Sequence, residues 1–144
     1  MKFEIHMDNE RIHQAAALVE KHYKDIQFLH KVEMNKTFNF TSRNGLYVAH
    51  DIRQSELTMK IKSYTTWNPF SKVIGHAKGD TIFINTRKLD LSLEDRIQNL
   101  FHEYLHLLGY KHKGNSVNEF NNGTVPFNVA KIFSQYVMSL GRQL

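Results

Sequence analysis

The stretch from Ser92 to His112 constrains this chain most, because it reads as one amphipathic helix that runs into a set of three histidines. Ser92-Leu93-Glu94-Asp95 has the form of a helix start: Ser92 can accept a bond from the amide three residues on, and Asp95 suits the positive end of the helix dipole. Leu93, Ile97, Leu100, Phe101, Tyr104, Leu105 and Leu108 then recur at the spacing of a single apolar stripe. At about 100° per residue, His102 and His106 fall side by side on the flank of that stripe, one turn apart, with Glu103 on the adjoining face. Gly109 stands where helices commonly end at positive φ, and a reversal there brings His112 back towards the pair. Such a helix buries one side in a core and leaves its histidine flank to face a cleft.

Three imidazoles at this spacing suit a metal ion. His102, His106 and His112 supply three nitrogen ligands and leave zinc a fourth, open position, which is the layout of a catalytic site and not of a structural one. Neutral ligands leave a zinc ion, Zn2+, its full charge, which lowers the pKa of water and polarises a carbonyl. Glu103, beside the first ligand, is placed as a general base and not as a ligand. Cysteine is absent, so neither a thiolate site nor a disulfide framework is open to the 144 residues. Glu119 is a further conceivable ligand, although His112 has the better spacing, and His76 and Asp80 could approach the site from the preceding strand pair. His6, His13, His22, His30 and His50 show no metal-like clustering.

Residues 1–144 read as a single domain, with no internal repeat or Pro/Gly/Ser-rich linker. A hydrophobic content of 41% with 12% aromatic residues predicts a real, aromatic-rich core. The formal charge is +5, but the lysines come in ones and twos along the sequence, which reads as a generally basic surface before it reads as a nucleic-acid groove. No stretch has the length of a membrane span and the first residues lack the apolar run of a secretory signal, so the expected location is cytoplasmic, without a membrane partner.

Along the chain, Phe3, Ile5 and Met7 alternate as in a half-buried strand. Asp8 or Asn9 can then cap a helix that carries Ile12, Ala15, Ala16, Val19, Tyr23 and Ile26 on one side. From Thr37 to Asn85 the pattern is strand-like: Phe38 and Phe40, then Leu46-Tyr47-Val48-Ala49 after an Asn44-Gly45 hairpin turn, then Leu57, Met59 and Ile61. Trp67-Asn68-Pro69-Phe70 is an irregular loop. Val73 to Ala77 and Thr81 to Asn85 form a hairpin through Lys78-Gly79-Asp80, and an edge strand here could hold an extended peptide by strand addition. After a polar loop over residues 113–123, Thr124-Val125-Pro126 starts a last helix that packs Ala130, Phe133, Val137 and Leu140 inward, with Met138 in the same stripe. The expected class is α+β: a mixed, largely antiparallel sheet packed on helices, with a site helix and a C-terminal helix.

The eleven residues His102 to His112 read HExxHxxGxxH, and in this they resemble the zincin metallopeptidases, specifically the metzincin clan. That resemblance implies zinc on the three histidines, Glu103 as catalytic base, a zincin-like twisted mixed sheet above the site helix, and a peptide or protein substrate bound in extended form. Metzincins also carry a methionine in a tight turn beneath the metal; Met138, or in its place the segment Val125-Pro126-Phe127, is the expected counterpart here. Tyr136 is the candidate for the tyrosine that some metzincins use to steady the transition state, while Tyr104 and Tyr110 read as supports. Leu105 to His112 is also similar to the LHLLGYDH signature of bacterial endoribonucleases that mature ribosomal RNA. That family has glycine where this chain has Glu103 and aspartate where it has Lys111. Because a glutamate in that place is what peptide hydrolysis needs, the expectation is a zinc metalloendopeptidase; the alternatives are a zinc-dependent endoribonuclease acting on nucleic acid and a non-catalytic zinc-binding interaction protein.

Overall fold

The computed structural model describes residues 1–114 and 116–141. The fold is α+β, with a four-stranded open mixed sheet on helices. Strand β1 (Lys2–Ile5) leads through Asn9, whose side chain accepts from the Ile12 amide, into α1 (Glu10–His22). Two more helices follow, α2 (Ile26–Glu33) and α3 (Gly45–Gln54), before β2 (Thr58–Tyr64), β3 (Gly75–Lys78) and β4 (Thr81–Asn85). A single 3-10 turn, Thr86–Lys88, precedes α4 (Leu93–Leu107), and a short α5 (Glu119–Asn122) precedes the last helix, α6 (Val125–Gly141).

The middle of the chain corrects the strand reading. Asn44-Gly45 is a helix start and not a hairpin turn: the Asn44 side chain caps the Tyr47 amide, and Leu46 to Ala49 continue as α3, which buries Val48, Ala49 and Ile52. Glycine is needed at 45 for close approach. A Cβ there would lie 2.2 Å from the carbonyl oxygen of Val32 and 2.4 Å from that of Asn35, whose oxygen accepts from the Gly45 amide. Phe38 is buried and Phe40 lies at φ 68°, with Asn39 making a lone parallel bridge to Thr124, so neither phenylalanine belongs to a sheet. Ile26, assigned to the flank of the first helix, opens α2 and is exposed.

The sheet is mixed and its β3–β4 hairpin antiparallel, as expected, but the other two pairings are parallel, so it is not largely antiparallel. Because the elements between β1 and β2 are three helices and no strand, the connection is a crossover, and β1 pairs with β2 in parallel, Phe3 opposite Met59 and Ile5 opposite Ile61. The loop after Tyr64 carries the chain past the place of β4, so β2 and β4 are also parallel, and only the hairpin partners β3 and β4 run antiparallel. The order β1-β2-β4-β3 leaves β3 at an edge, next to α4.

Met59, Ile61, Ile82 and Ile84 form the inner face of the sheet and are fully buried with Ile97, Leu100, Phe101, Tyr104 and Leu105 of α4. Each such side chain contributes about 1.5–3 kcal/mol on burial. Phe101 stacks on Phe133 of α6 at 4.1 Å, and Phe28 meets both rings edge-on, at 5.5 and 4.9 Å. The site helix is thus clamped between α1, α6 and the sheet edge, which fixes the direction of its outer flank.

Candidate metal centre

Ser92 caps α4 as its sequence implies, its Oγ accepting from the Asp95 amide at 3.1 Å. Fifteen residues later the helix ends as predicted: Gly109 adopts φ +99° and its backbone turns the chain back. The outcome is a convergence of three ring nitrogens. The Nε2 atoms of His102 and His106 lie 3.2 Å apart, those of His102 and His112 3.2 Å, and those of His106 and His112 3.0 Å. Among the described residues this is the group of histidine, cysteine and acidic side chains whose geometry could hold a metal ion.

The protonation of the rings argues that these atoms are arranged for a cation. His106 Nδ1 lies 2.8 Å from the Tyr110 carbonyl oxygen, which can only accept, so the proton of this imidazole is on Nδ1 and its Nε2 presents a lone pair. The Pro126 backbone, which has no N–H to offer, likewise faces the His102 ring through its carbonyl. Burial, followed by the neighbouring histidines, pushes the His102 pKa down to about 3, and burial depresses His106 as well. Two or more lone pairs therefore meet at close range, an arrangement that is repulsive until a cation occupies the centre. Nitrogens sharing a tetrahedral zinc at about 2.05 Å are separated by ~3.3 Å, close to the spacing found here.

Phe127 packs its ring against two of the three histidines, with centroids 4.7 Å from His102 and 4.8 Å from His112. The Val125-Pro126-Phe127 segment thus supports the cluster from the first turn of α6, through a carbonyl and a ring, while Met138 lies further along that helix, partly buried against the core.

Glu103, the residue after His102 on α4, is buried. It is 5% exposed, and its Oε2 is buried with no hydrogen-bond partner among the described residues. Burial pushes its pKa up to about 7, so near neutrality it can both take and release a proton. Its charge is felt by Tyr64 of β2, whose own pKa is raised first by burial and then by Glu103.

The other sequence candidates are placed elsewhere. His76 stacks on Phe83 at 4.9 Å and meets Tyr64 edge-on at 4.8 Å, on the sheet. Asp80 is in the β3–β4 turn, accepting from the Thr81 hydroxyl and 3.9 Å from Lys60. Glu119 opens α5 and is exposed. Tyr136 packs in α6 and donates to Asp25 at 2.7 Å, and Tyr104 pairs its hydroxyl with that of Ser55. Three residues that the motif does not announce brace the site. Asp51 of α3 accepts from the Tyr110 hydroxyl at 2.8 Å, and Arg43 lies 3.4 Å from the same carboxylate. Fully buried Asn121 holds the chain after His112, accepting from the Lys113 amide and donating to the carbonyls of Lys113 and Ser116. Their spacing from the histidines has no regular pattern; the available sequence signal is Asn118, a residue type that favours helix caps, in the loop after His112.

Comparison with known proteins gives no match: no family model, no curated protein and no solved structure is similar to this chain. Among the described residues no helix is long and apolar enough to cross a membrane.

Proposed function

We propose that this chain is a zinc-dependent endopeptidase that cleaves an extended peptide beside β3, with Glu103 as its general base. The observation that carries this reading is the pairing of a convergent Nε2 triad with a buried carboxylate on the residue after His102, its pKa raised to about 7 by burial and its Oε2 without a hydrogen-bond partner among the described residues. A zinc ion on His102, His106 and His112 would supply Lewis acidity towards the scissile carbonyl and a more acidic water.

The chain's own groups account for the rest of the work. His106 is oriented by the Tyr110 carbonyl and His102 and His112 by Phe127, which limits ring rotation and keeps water off one side of the cluster. Glu103 accepts the proton of the attacking water and returns it to the leaving amine, a shuttle that its raised pKa favours. Edge strand β3 lies next to α4 and offers main-chain groups with which a substrate strand can pair. An endoribonuclease could use the same three histidines; the family that Leu105 to His112 resembles has glycine at the place of Glu103, which favours the peptidase reading.

A peptide-library digest by the zinc-loaded protein, compared with Glu103→Gln, tests the reading. Cleavage that Glu103→Gln abolishes while zinc stays bound supports it. Cleavage of structured RNA that survives the same substitution replaces it with the nuclease, and stoichiometric zinc without either activity replaces it with a binding role.

A further inference from the structure

The strand period gathers on one face lysines that the linear sequence scatters. Six of the 19 Lys and Arg residues but one of the 14 Asp and Glu residues lie between Thr58 and Lys88, so this segment carries the whole net charge of +5. Lys60 and Lys62 alternate with buried Met59 and Ile61, and the register places Lys78 of β3 opposite Thr81, which itself faces Lys60. All three lysines therefore share the outer face of the sheet, opposite the face that packs on the helices. Tyr64, His76 and Phe83 share it too, as a contiguous aromatic cluster. At the border of this face the loop after β2 is tied down by Asn85, which donates to the Val73 carbonyl and accepts from Thr66, and it holds Trp67 96% exposed and Phe70 88% exposed.

We infer that this outer face binds single-stranded nucleic acid. Ammonium groups on one plane match a phosphate backbone, and half-exposed rings between them offer stacking platforms that suit any base. A purely solvated basic surface would account for the lysines, but not for exposed aromatic rings set among them. Lys60 has an acidic neighbour in Asp80 at 3.9 Å, so Lys62 and Lys78 are the stronger phosphate contacts. The inference is independent of the peptidase reading, because it uses none of the metal ligands and does not require Glu103.

The single tryptophan is a built-in reporter. Full-length protein kept metal-free with a chelator is titrated at low salt with an unstructured oligonucleotide, oligo-dT or oligo-U, following Trp67 quenching and the anisotropy of a labelled strand. Saturable binding is expected, with log Kd depending on log salt; Lys60→Glu/Lys62→Glu/Lys78→Glu should weaken it by about 100-fold or more, and the gentler Lys62→Gln/Lys78→Gln should lower the salt slope by about 1.4. His76→Ala should cost about tenfold through lost stacking. Charge-matched Lys21→Glu/Lys36→Glu/Lys131→Glu, whose sites lie outside the segment, should weaken binding much less, and circular dichroism establishes that each variant is folded. The inference is overturned by absence of binding, by equal losses in the two triple variants, or by a blue shift of Trp67 on vesicles of anionic lipid with no response to the oligonucleotide, which would make the face a membrane contact. Since every step is done without metal, loss of peptidase activity and loss of nucleic-acid binding are separately visible.

Discussion

If the three Nε2 atoms are arranged for zinc, loading the site must stabilise the fold by an amount that mass action sets. Free zinc at 100 times its Kd contributes about 2.7 kcal/mol, and each further tenfold excess about 1.4 kcal/mol. A domain of this length unfolds with an entropy of about 0.3 kcal/mol per K near its midpoint, from ~2.1 cal/mol/K per residue. The zinc-loaded protein should therefore melt about 9 °C above the stripped one at a 100-fold excess, with ~4–5 °C more for each decade of free zinc. Differential scanning calorimetry in buffered zinc measures this. His112→Ala removes one nitrogen from a triangle of 3.0–3.2 Å sides and should return most of the shift at the same free zinc. The change leaves α4 intact, since His112 lies beyond the helix end at Leu107. Coincident melts with and without zinc, or an undiminished shift in His112→Ala, would refute the reasoning that the lone pairs converge on an ion.

In metal-free protein, Glu103→Gln should stabilise the fold. The carboxyl is raised from its ordinary value to about 7 by burial, so the folded state holds its proton where the unfolded state has lost it. Below the ordinary carboxylate range both states are protonated and the cost is nil; it grows as pH rises through that range and is complete above about 7, reaching about 3 kcal/mol at 1.36 kcal/mol per unit. Urea midpoints of the two proteins should thus coincide near pH 4 and separate by pH 8, and equal stability at pH 8 would contradict a desolvated carboxylate. Gly109→Ala meets no atom within 4 Å, so its cost is that of the left-handed backbone alone, about 1–2 kcal/mol, with weaker zinc binding as His112 shifts; an unchanged urea midpoint and zinc affinity would argue against that role. Arg96→Lys should cost about 1.5–3 kcal/mol, because a single ammonium cannot replace the fork that donates to Asn99 Oδ1 at 2.9 Å and the Lys88 carbonyl at 2.6 Å; a neutral urea midpoint would show the clamp to be dispensable.

The site helix was legible because several local signals agreed on it. Ser92 caps, the apolar stripe has one register, and Gly109 ends the turn, so Ser92 to His112 is readable without knowing what surrounds it. The segment from Asn35 to Ser55 was not readable in that way. Leu46-Tyr47-Val48-Ala49 is apolar enough for a strand or a helix, and Asn-Gly before it favours a hairpin on local grounds. What decides is tertiary: the carbonyls at the end of α2 come so close to residue 45 that only glycine fits. The Val48, Ala49 and Ile52 spacing was the available signal for a helix, and it was outweighed by the turn dipeptide. Once this segment is helical the parallel pairing of β1 with β2 follows, whereas the parallel pairing of β2 with β4 depends on the path of the loop after Tyr64. The burial of Glu103 was equally out of reach, since its position on the helix follows from the register but its burial is set by tertiary packing.

The ligands and the rigidity of this site come from different places in the chain. His102, His106 and His112 lie within eleven residues, yet two of the contacts that hold their surroundings are remote: Tyr110 to Asp51, 59 residues away, and the Asn39 amide to the Gly123 carbonyl, beside the loop that Asn121 ties to Lys113. Tyr110 carries both kinds of contact. Its carbonyl fixes the tautomer of His106 and its hydroxyl is anchored on α3, so any movement of α3 is felt at a ligand nitrogen through one residue. Outer contacts of this sort typically govern metal affinity by 10–100-fold, roughly what separates a loose histidine cluster from a committed site. The motif therefore supplies three nitrogens that could hold a metal ion, while α3, through Asp51 and Tyr110, helps to brace one of them.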